Sequence, residues 1–318
     1  VTGVSGSGKS TFCREVLFAN LSRRLKDAQA PLVGTDQLTG FENVGRILEV
    51  DQTPIGKNSR SCPATYVGIM TAIRDLYAAT NEAQARGYDA SRFSFNKAVG
   101  ACPVCAGQGL RTVEMNFLPD VKVLCEACAG KRFNPETLEV LWRGKSIGDV
   151  LEMEIDEAVD FFASMPSIAY PLKLMQDVGL GYLTLGQPSP TLSGGEAQRL
   201  KLVTELAKVR TDGSFAARAP HTLYVLDEPT VGLHMTDVDR LSKVLSRLVD
   251  AGSTVVVIEH NLDIAADADW IIDLGPEGGA KGGKVVAQGS PKMIARKNTA
   301  TGIVLKAFLA EHKPVKSA

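Results

Sequence analysis

Gly3-Val4-Ser5-Gly6-Ser7-Gly8-Lys9-Ser10 closes a short strand and is followed by apolar residues at helical spacing, Phe12, Val16, Leu17 and Leu21. The octet fits GxxxxGK[ST] in full, and it sits where that loop must sit, between a strand and a helix. Its glycines let successive backbone N–H groups curl around phosphate oxygens, and the helix start adds partial positive charge. Ser5, Ser7 and Thr11 complete the loop and the first helical turn. Lys9 is suited to bridge the β- and γ-phosphates of ATP, and Ser10 to ligate Mg²⁺. The competing reading, a glycine-rich turn formed by chance, does not account for the strand on one side and the helix on the other.

Working outward, Leu223-Tyr224-Val225-Leu226-Asp227-Glu228 reads as a buried strand ending in two carboxylates. Asp227 would hold the Mg²⁺ shell, and Glu228 would orient and deprotonate the attacking water. A further apolar strand, Val255 to Ile258, ends in Glu259-His260. A lone histidine there is ordinarily structural; its place after Asp227-Glu228 is what points His260 at a γ-phosphate. Ser193-Gly194-Gly195-Glu196 has the form of a capping box, Ser as N-cap and Glu three residues on. Two glycines in a first helical turn cost helix stability, and they supply bare N–H groups at a positive helix end, a second anion site. Gln198 and Arg199 continue the motif.

Composition narrows the class. The chain has 318 residues, 44% apolar, 22% charged, with a formal net charge of -1. That balance makes no electrostatic case for nucleic acid beyond a local face. No apolar run is long enough to cross a membrane and no leader pattern is present, so no membrane partner and a cytoplasmic setting are expected. The chain opens on Val1 with a strand already feeding the phosphate loop. This reads as a piece of something longer, whose missing N-terminal strands would leave a sheet edge or the nucleotide pocket incomplete. No internal repeat and no low-complexity run is evident.

Between Asn81 and about Gln187 the long apolar strands give way to glycines, cysteines and short alternating runs. The expected organisation is a nucleotide-binding core over 1–80 and 188–318 and an inserted domain over 81–187. Within the insertion, Cys102, Cys105, Cys125 and Cys128 form two CxxC pairs. Val113, Met115 and Phe117, then Val121 and Val123, alternate about a Pro119-Asp120 turn, a hairpin with a pair at each foot. Four thiolates at this spacing suit a closed structural Zn²⁺ site over about 100–135, against free thiols or a redox pair. Cys13 belongs to a buried helix stripe and Cys62 stands alone. A further strand is expected at Leu138, Val140 and Trp142, helices at Ile69–Tyr77, Ile155–Phe162 and Asp237–Val249, and a closing strand pair at Trp270–Leu274 and Lys284–Gln288. The strands Leu223–Leu226 and Val255–Ile258 are continuously apolar, as strands buried on two faces should be. From Arg86 to Arg132 there are seven basic and four acidic residues. With one Zn²⁺ and four thiolates the module is left near +1, a weak grip on a phosphate backbone. Phe93, Phe95 and Phe117 are read as module core before they are read as DNA wedges.

These motifs carry a resemblance. Leu192-Ser193-Gly194-Gly195-Glu196-Ala197-Gln198-Arg199 looks like the signature of ABC-type ATPases, with Gln52 and His260 at their Q-loop and H-loop positions. Gly3 to Thr11, Asp51-Gln52-Thr53-Pro54-Ile55-Gly56, Arg92-Phe93-Ser94-Phe95-Asn96, the cysteine pairs and Ile258-Glu259-His260-Asn261-Leu262-Asp263 resemble more specifically the C-terminal half of the UvrA family, the damage-sensing subunits of the bacterial excinuclease. The match runs from Gly3 to about Pro291. It implies an α/β fold, an ABC-type P-loop ATPase core with an inserted α+β signature and zinc-binding domain. It implies ATP, Mg²⁺ and Zn²⁺ as cofactors, and catalytic roles for Glu228, His260 and Gln52. As partners it implies damaged double-stranded DNA, a second copy in a homodimer, and UvrB through an N-terminal half. Each ATP would then be clasped between one module's P-loop and another's signature, so Ser193, Gly194, Gly195 and Gln198 would serve a nucleotide held elsewhere, and the chain alone would hydrolyse ATP weakly. Val231 stands where a small hydroxyl residue is expected, and Arg210 to His221 is long and basic, departures that leave room for a paralogue. A transporter ATPase subunit and a non-hydrolysing DNA- or partner-binding fragment are the rival readings; the cysteine insertion has no use in the first.

Overall fold

The computed structural model describes residues 1–56, 58–113, 121–208 and 220–312. The chain forms two compact units, one of Val1–Asp51 with Lys208–Ala318, the other of Gln52–Ala207. The second unit is wider than the expected 81–187 insertion. The reason is packing: Pro63–Tyr66 rests on Ile69–Ala78 and on the helix Gly194–Leu206, and Pro166–Asp177 touches both of the longer helices, so the flanks cohere with the insertion.

The first unit holds β1 (Thr2–Gly3), β2 (Arg46–Val50), β3 (Thr222–Asp227), β4 (Thr254–Ile258), β5 (Ile271–Gly275) and β6 (Lys284–Gly289). Strands β2, β3 and β4 pair in parallel in that order, with Ile47 opposite Leu223 and Leu226 opposite Val257. Strand β1 pairs in parallel with β5, Thr2 opposite Asp273, and β6 closes antiparallel to β5 with a bulge between Val285 and Ala287. Val1 joins the two sheets: its amino group donates to Val257 O (2.6 Å), and Glu259 N–H donates to Val1 O (3.1 Å). The expected α/β core, the strand from Leu223, the helix near Asp237 (found as Met235–Asp250) and the closing pair are therefore present.

In this unit, two expectations need correction. Strand β3 is buried from Thr222 to Leu226, but in β4 only Ile258 is. Because β1 is two residues long, it fills only one end of the gap between β4 and β5. A cavity of about 500 Å³ remains there, lined by Val255, Val256, Trp270 and Ile272 among others. Second, the helix after the phosphate loop starts as a π-helix, Thr11–Phe18, before Ala19–Arg24 continues it as α-helix. The wider turn shifts the buried stripe: Cys13, Asn20 and Leu21 are buried, while Phe12, Val16 and Leu17 are only half-buried. Cys13 packs with Leu21, Leu223, Val225 and Ile258, and burial pushes its thiol up to about 11, as expected of a packing residue. Asn20 ties the following loop down, its amide donating to Val33 O (2.8 Å) and its carbonyl accepting Val33 N–H (2.9 Å).

In the second unit, Leu110–Val113 pairs antiparallel with Val121–Leu124, Leu110 opposite Leu124. These are the feet of the expected hairpin; Met115, Phe117, Pro119 and Asp120 lie outside the described residues. The strand expected across Leu138, Val140 and Trp142 does not form. Asn134 caps a short helix, Pro135–Leu138, and only Leu141–Trp142 is extended, turning at once into Lys145–Ser146. The left-handed Arg143 (φ +49°) and Gly144 (φ +77°) make that turn. Phe93 and Phe95 are buried, the first beside Tyr77 (5.6 Å between ring centres), the second edge-on to Phe133 (5.9 Å). They are core, as the sequence suggested.

Candidate functional site

Three parallel strands, β1, β3 and β4, run side by side or through Val1 and end on one edge of the sheet. The phosphate loop leaves the end of β1. Gly3 takes φ +138°, and a Cβ there would lie 2.1 Å from Leu274 O; Gly6 and Gly8 take φ +72° and +92°. The loop is backed by a second glycine turn. Gly279 N–H donates to Gly6 O (3.1 Å) and Gly283 N–H to Ser7 O (2.9 Å), while a Cβ on Gly278 would come within 2.7 Å of Ser5 O.

Two buried groups inside the loop suit an anion. The Ser7 hydroxyl is 1% exposed and has no hydrogen-bond partner among the described residues. Lys9 is 6% exposed, and its ammonium donates to the loop's own carbonyls, Gly3 O (3.1 Å) and Val4 O (3.0 Å). Burial holds the Lys9 ammonium below the usual lysine value, and the carboxylates of Glu228, Asp227 and Asp273 pull the other way. A phosphate would meet a fixed cation and an unsatisfied hydroxyl. Ser5, Ser10 and Thr11 line the exposed rim of the same loop and helix start.

Asp227 ends β3, and Arg14, on the helix that follows the loop, ion-pairs with Glu49 and approaches Asp227 (3.9 Å). Glu228 then turns into the left-handed region at φ +45°, with its N–H donating to Ile258 O (2.9 Å). This swings its carboxylate to within 3.6 Å of His260 Nε2, at the end of β4. The sequence assigned these residues singly; the structure brings Lys9, Asp227, Glu228 and His260 to one edge. Arg14 was missed, since nothing in its sequence position marks it except that it lies one turn beyond Ser10.

The other assigned residues belong to the second unit. Ser193 caps Gly194–Leu206 as expected: its hydroxyl accepts Glu196 N–H (3.3 Å), and its own N–H donates to Glu196 Oε2 (2.7 Å). Tyr182, which the sequence did not flag, donates to the free Glu196 oxygen at 2.5 Å. Burial acts to raise the Glu196 carboxyl, yet the bonds from Tyr182 and Ser193 hold it below the ordinary value. Gly194 lies close to Gln52, since a Cβ there would stand 3.0 Å from Gln52 Cβ. Lys201 donates to Thr53 (2.7 Å), fixing the segment after Gln52 to the same helix. Gln198 and Arg199 are buried, and Gly195 occupies the first turn.

The cysteines make a candidate metal centre. All four sulfurs are buried and lie within 4.8 Å of one another. Cys102 and Cys125 are 3.9 Å apart, Cys105 and Cys128 3.7 Å, matching the edge of about 3.8 Å for a tetrahedron with Zn–S near 2.3 Å. Each pair ends in the same turn, Ala106-Gly107 and Ala129-Gly130, all four left-handed. This repeated CxxCAG knuckle contradicts the absence of any internal repeat. Gly109 N–H donates to Cys105 Sγ (3.2 Å). The donor set and spacing fit Zn²⁺, with no position left for water. Arg132, next to the cluster, is 4% exposed and spends its guanidinium on Ser59 O (2.7 Å) and Gly186 O (2.6 Å). Lys131 pairs with Asp149 (2.6 Å). The basic surplus counted on the sequence is thus partly internal.

No helix among the described residues is long and apolar enough to cross a membrane. No family model matches the chain. It is 57% identical to UvrABC system protein A of Thermus thermophilus over 310 residues, which cover 98% of this chain and 31% of that protein. It is 53% identical to UvrABC system protein A of Aquifex aeolicus over 97% of this chain and 33% of that protein. The crystal structure of UvrA2 from Deinococcus radiodurans superposes with a TM-score of 0.84 at 47% identity, covering 96% of this chain and 36% of that one. The chain spans about a third of the length of the relatives it matches. With identity this high along nearly all its length and the fold shared, the chain belongs to the UvrA family.

Proposed function

We propose that the chain is an ATP-binding and ATP-hydrolysing module of a UvrA-like protein that recognises DNA damage in nucleotide excision repair. The observation that supports this most is the meeting of Glu228 and His260 (3.6 Å) on the sheet edge that carries the phosphate loop. In this reading Lys9 and the loop amides of Gly3, Gly6 and Gly8 hold the β- and γ-phosphates. Ser10 and Asp227 hold Mg²⁺, which neutralises charge on the phosphates when bound. Glu228 accepts a proton from water as the water oxygen bonds to the γ-phosphorus and the bond to the ADP oxygen breaks, with His260 orienting Glu228 and the γ-phosphate. Gln52 reads the nucleotide state. Ser193, Gly194, Gly195 and Gln198 clasp an ATP bound by another module, so full activity belongs to an assembly of modules, including a homodimer.

The cysteine tetrad holds structural Zn²⁺ and shapes the second unit instead of gripping DNA through charge. The same reading takes damaged DNA and UvrB as partners and the cytoplasm as the setting, supported by likeness to UvrABC system protein A. In this reading Lys9, Asp227, Glu228 and His260 act from the unit of Val1–Asp51 with Lys208–Ala318, while Gln52 and the Ser193 helix, expected within a core of 1–80 and 188–318, act from the unit of Gln52–Ala207. The test is binding to damaged and undamaged duplexes of equal length at moderate salt, with and without ATP, by a protein carrying this chain within the full length of its relatives. Tighter, ATP-sensitive binding to the damaged duplex is expected. Equal binding to both contradicts the damage-sensing role.

A further inference from the structure

One buried carboxylate beside the site has no part in the reaction just described. Glu259 is 4% exposed and directly precedes His260. Its Oε1 accepts two bonds from Thr230, from the backbone N–H (2.8 Å) and from Oγ1 (2.5 Å). Its Oε2 accepts the backbone N–H groups of His260 (2.9 Å) and Asn261 (3.1 Å). One side chain therefore fastens two chain segments, the turn after β3 that begins with Glu228 and the turn after β4 that carries His260. Asn261 in turn caps the next helix, its Oδ1 accepting Asp263 N–H (2.9 Å).

We infer that Glu259 is a positioning residue that sets the Glu228–His260 distance by clamping both turns with its two carboxylate oxygens. The inference rests on the proposed roles of Glu228 and His260 in hydrolysis. The physical case is specific to a carboxylate. Four donors converge on it, and a carboxylate offers acceptor sites only, two or so on each oxygen. An amide at this position turns an N–H₂ group towards two other donors, so one of the two turns is released. Glutamate length matters as well, since aspartate cannot span both. The left-handed Glu228 (φ +45°) is a conformation that costs energy and persists only when its surroundings impose it. Two residues on, the Thr230 bonds to Glu259 supply that constraint. The phosphate loop makes none of these bonds, so nucleotide affinity and turnover should separate.

The experiment is turnover and Mg-ATP dissociation constants for the wild type, Glu228→Gln, Glu259→Gln, His260→Ala and the double variant Glu259→Gln/His260→Ala. Glu259→Gln is expected to lower kcat by about tenfold or more, as small misplacements of catalytic groups do, with the dissociation constant within about twofold of the wild type. In the His260→Ala background it should cost little further, because both changes spoil one arrangement. Unchanged kcat in Glu259→Gln, or losses that multiply in full in the double variant, overturns the clamp. If Glu259→Gln melts below the assay temperature, Thr230→Val, which removes one donor of the four, is read instead. A drop of about threefold in kcat at unchanged affinity is expected there, and wild-type kcat overturns the clamp. Wild-type turnover in Glu228→Gln would instead overturn the underlying assignment of Glu228.

Discussion

Lys9 shows how a single residue's environment becomes a measurable pH dependence. Its ammonium is buried against the carbonyls of Gly3 and Val4, and burial holds its pKa below the ordinary lysine value. A bound triphosphate restores the charged form, so ATP binding is linked to proton uptake. The sign is fixed by the direction of the shift. Affinity is fully present below the lowered pKa of the nucleotide-free protein and declines as pH rises through it, before the ordinary lysine range is reached. Fluorescence titration of a nucleotide analogue over rising pH checks this, and Lys9→Arg, always charged, is expected to flatten the profile. At this scale the sequence proposes which residues carry chemistry but not what aims them. Glu228 and His260 were legible from their order along the chain, whereas Arg14, Tyr182 and Glu259 act through bonds to residues distant in sequence. No spacing rule reports such bonds.

The phosphate loop depends on an element that looks in sequence like a simple hairpin turn. Gly278–Gly283 lies against Ser5, Gly6 and Ser7, and Gly278 has no room for a Cβ because Ser5 O is 2.7 Å from where it would stand. Gly278→Ala is expected to push the loop out of its anion-binding shape, raising the ATP dissociation constant severalfold and costing about 1–3 kcal/mol of stability, the usual range for an overpacked site. Calorimetric titration and thermal melting check both. In the second unit, Phe95 is packed edge-on to Phe133 beneath the Arg132 guanidinium, 5.1 Å from its ring centre. Phe95→Ala is expected to destabilise that unit by about 3–5 kcal/mol, read from chemical denaturation. Most elements were legible from a strong local signal: the capping box of Gly194–Leu206, the unbroken apolar run of β3, the amphipathic period of Met235–Asp250. The errors have local physical causes. Asn134 and Pro135 impose a helix start where alternation suggested a strand, and π winding moves Asn20 rather than Leu17 to the buried face.

At the scale of the molecule, the chain divides its chemistry between two compact units. One holds Lys9, Asp227, Glu228 and His260; the other holds Gln52, the Ser193 helix and the cysteine tetrad. The sequence order of motifs revealed the fold class, but the expected boundary at 81 falls 29 residues after the start of the second unit at Gln52, because composition changes there while packing does not. On the proposed Zn²⁺ assignment, the metal is part of the second unit's stability. Purified protein is expected to contain about one zinc per chain by metal analysis. Cys125→Ser should lose it and loosen the second unit, leaving nucleotide affinity at the phosphate loop near that of the wild type. Well under one zinc in the native protein contradicts the metal assignment. The claim on which the rest depends is hydrolysis at the sheet edge, and Glu228→Gln tests it with the least disturbance, since it keeps size and alters only the proton acceptor. Single-turnover hydrolysis with ATP binding measured alongside is expected to show retained binding and a loss of about a hundredfold or more in rate. Turnover equal to the wild type in Glu228→Gln, or its absence in both proteins despite binding, contradicts the account.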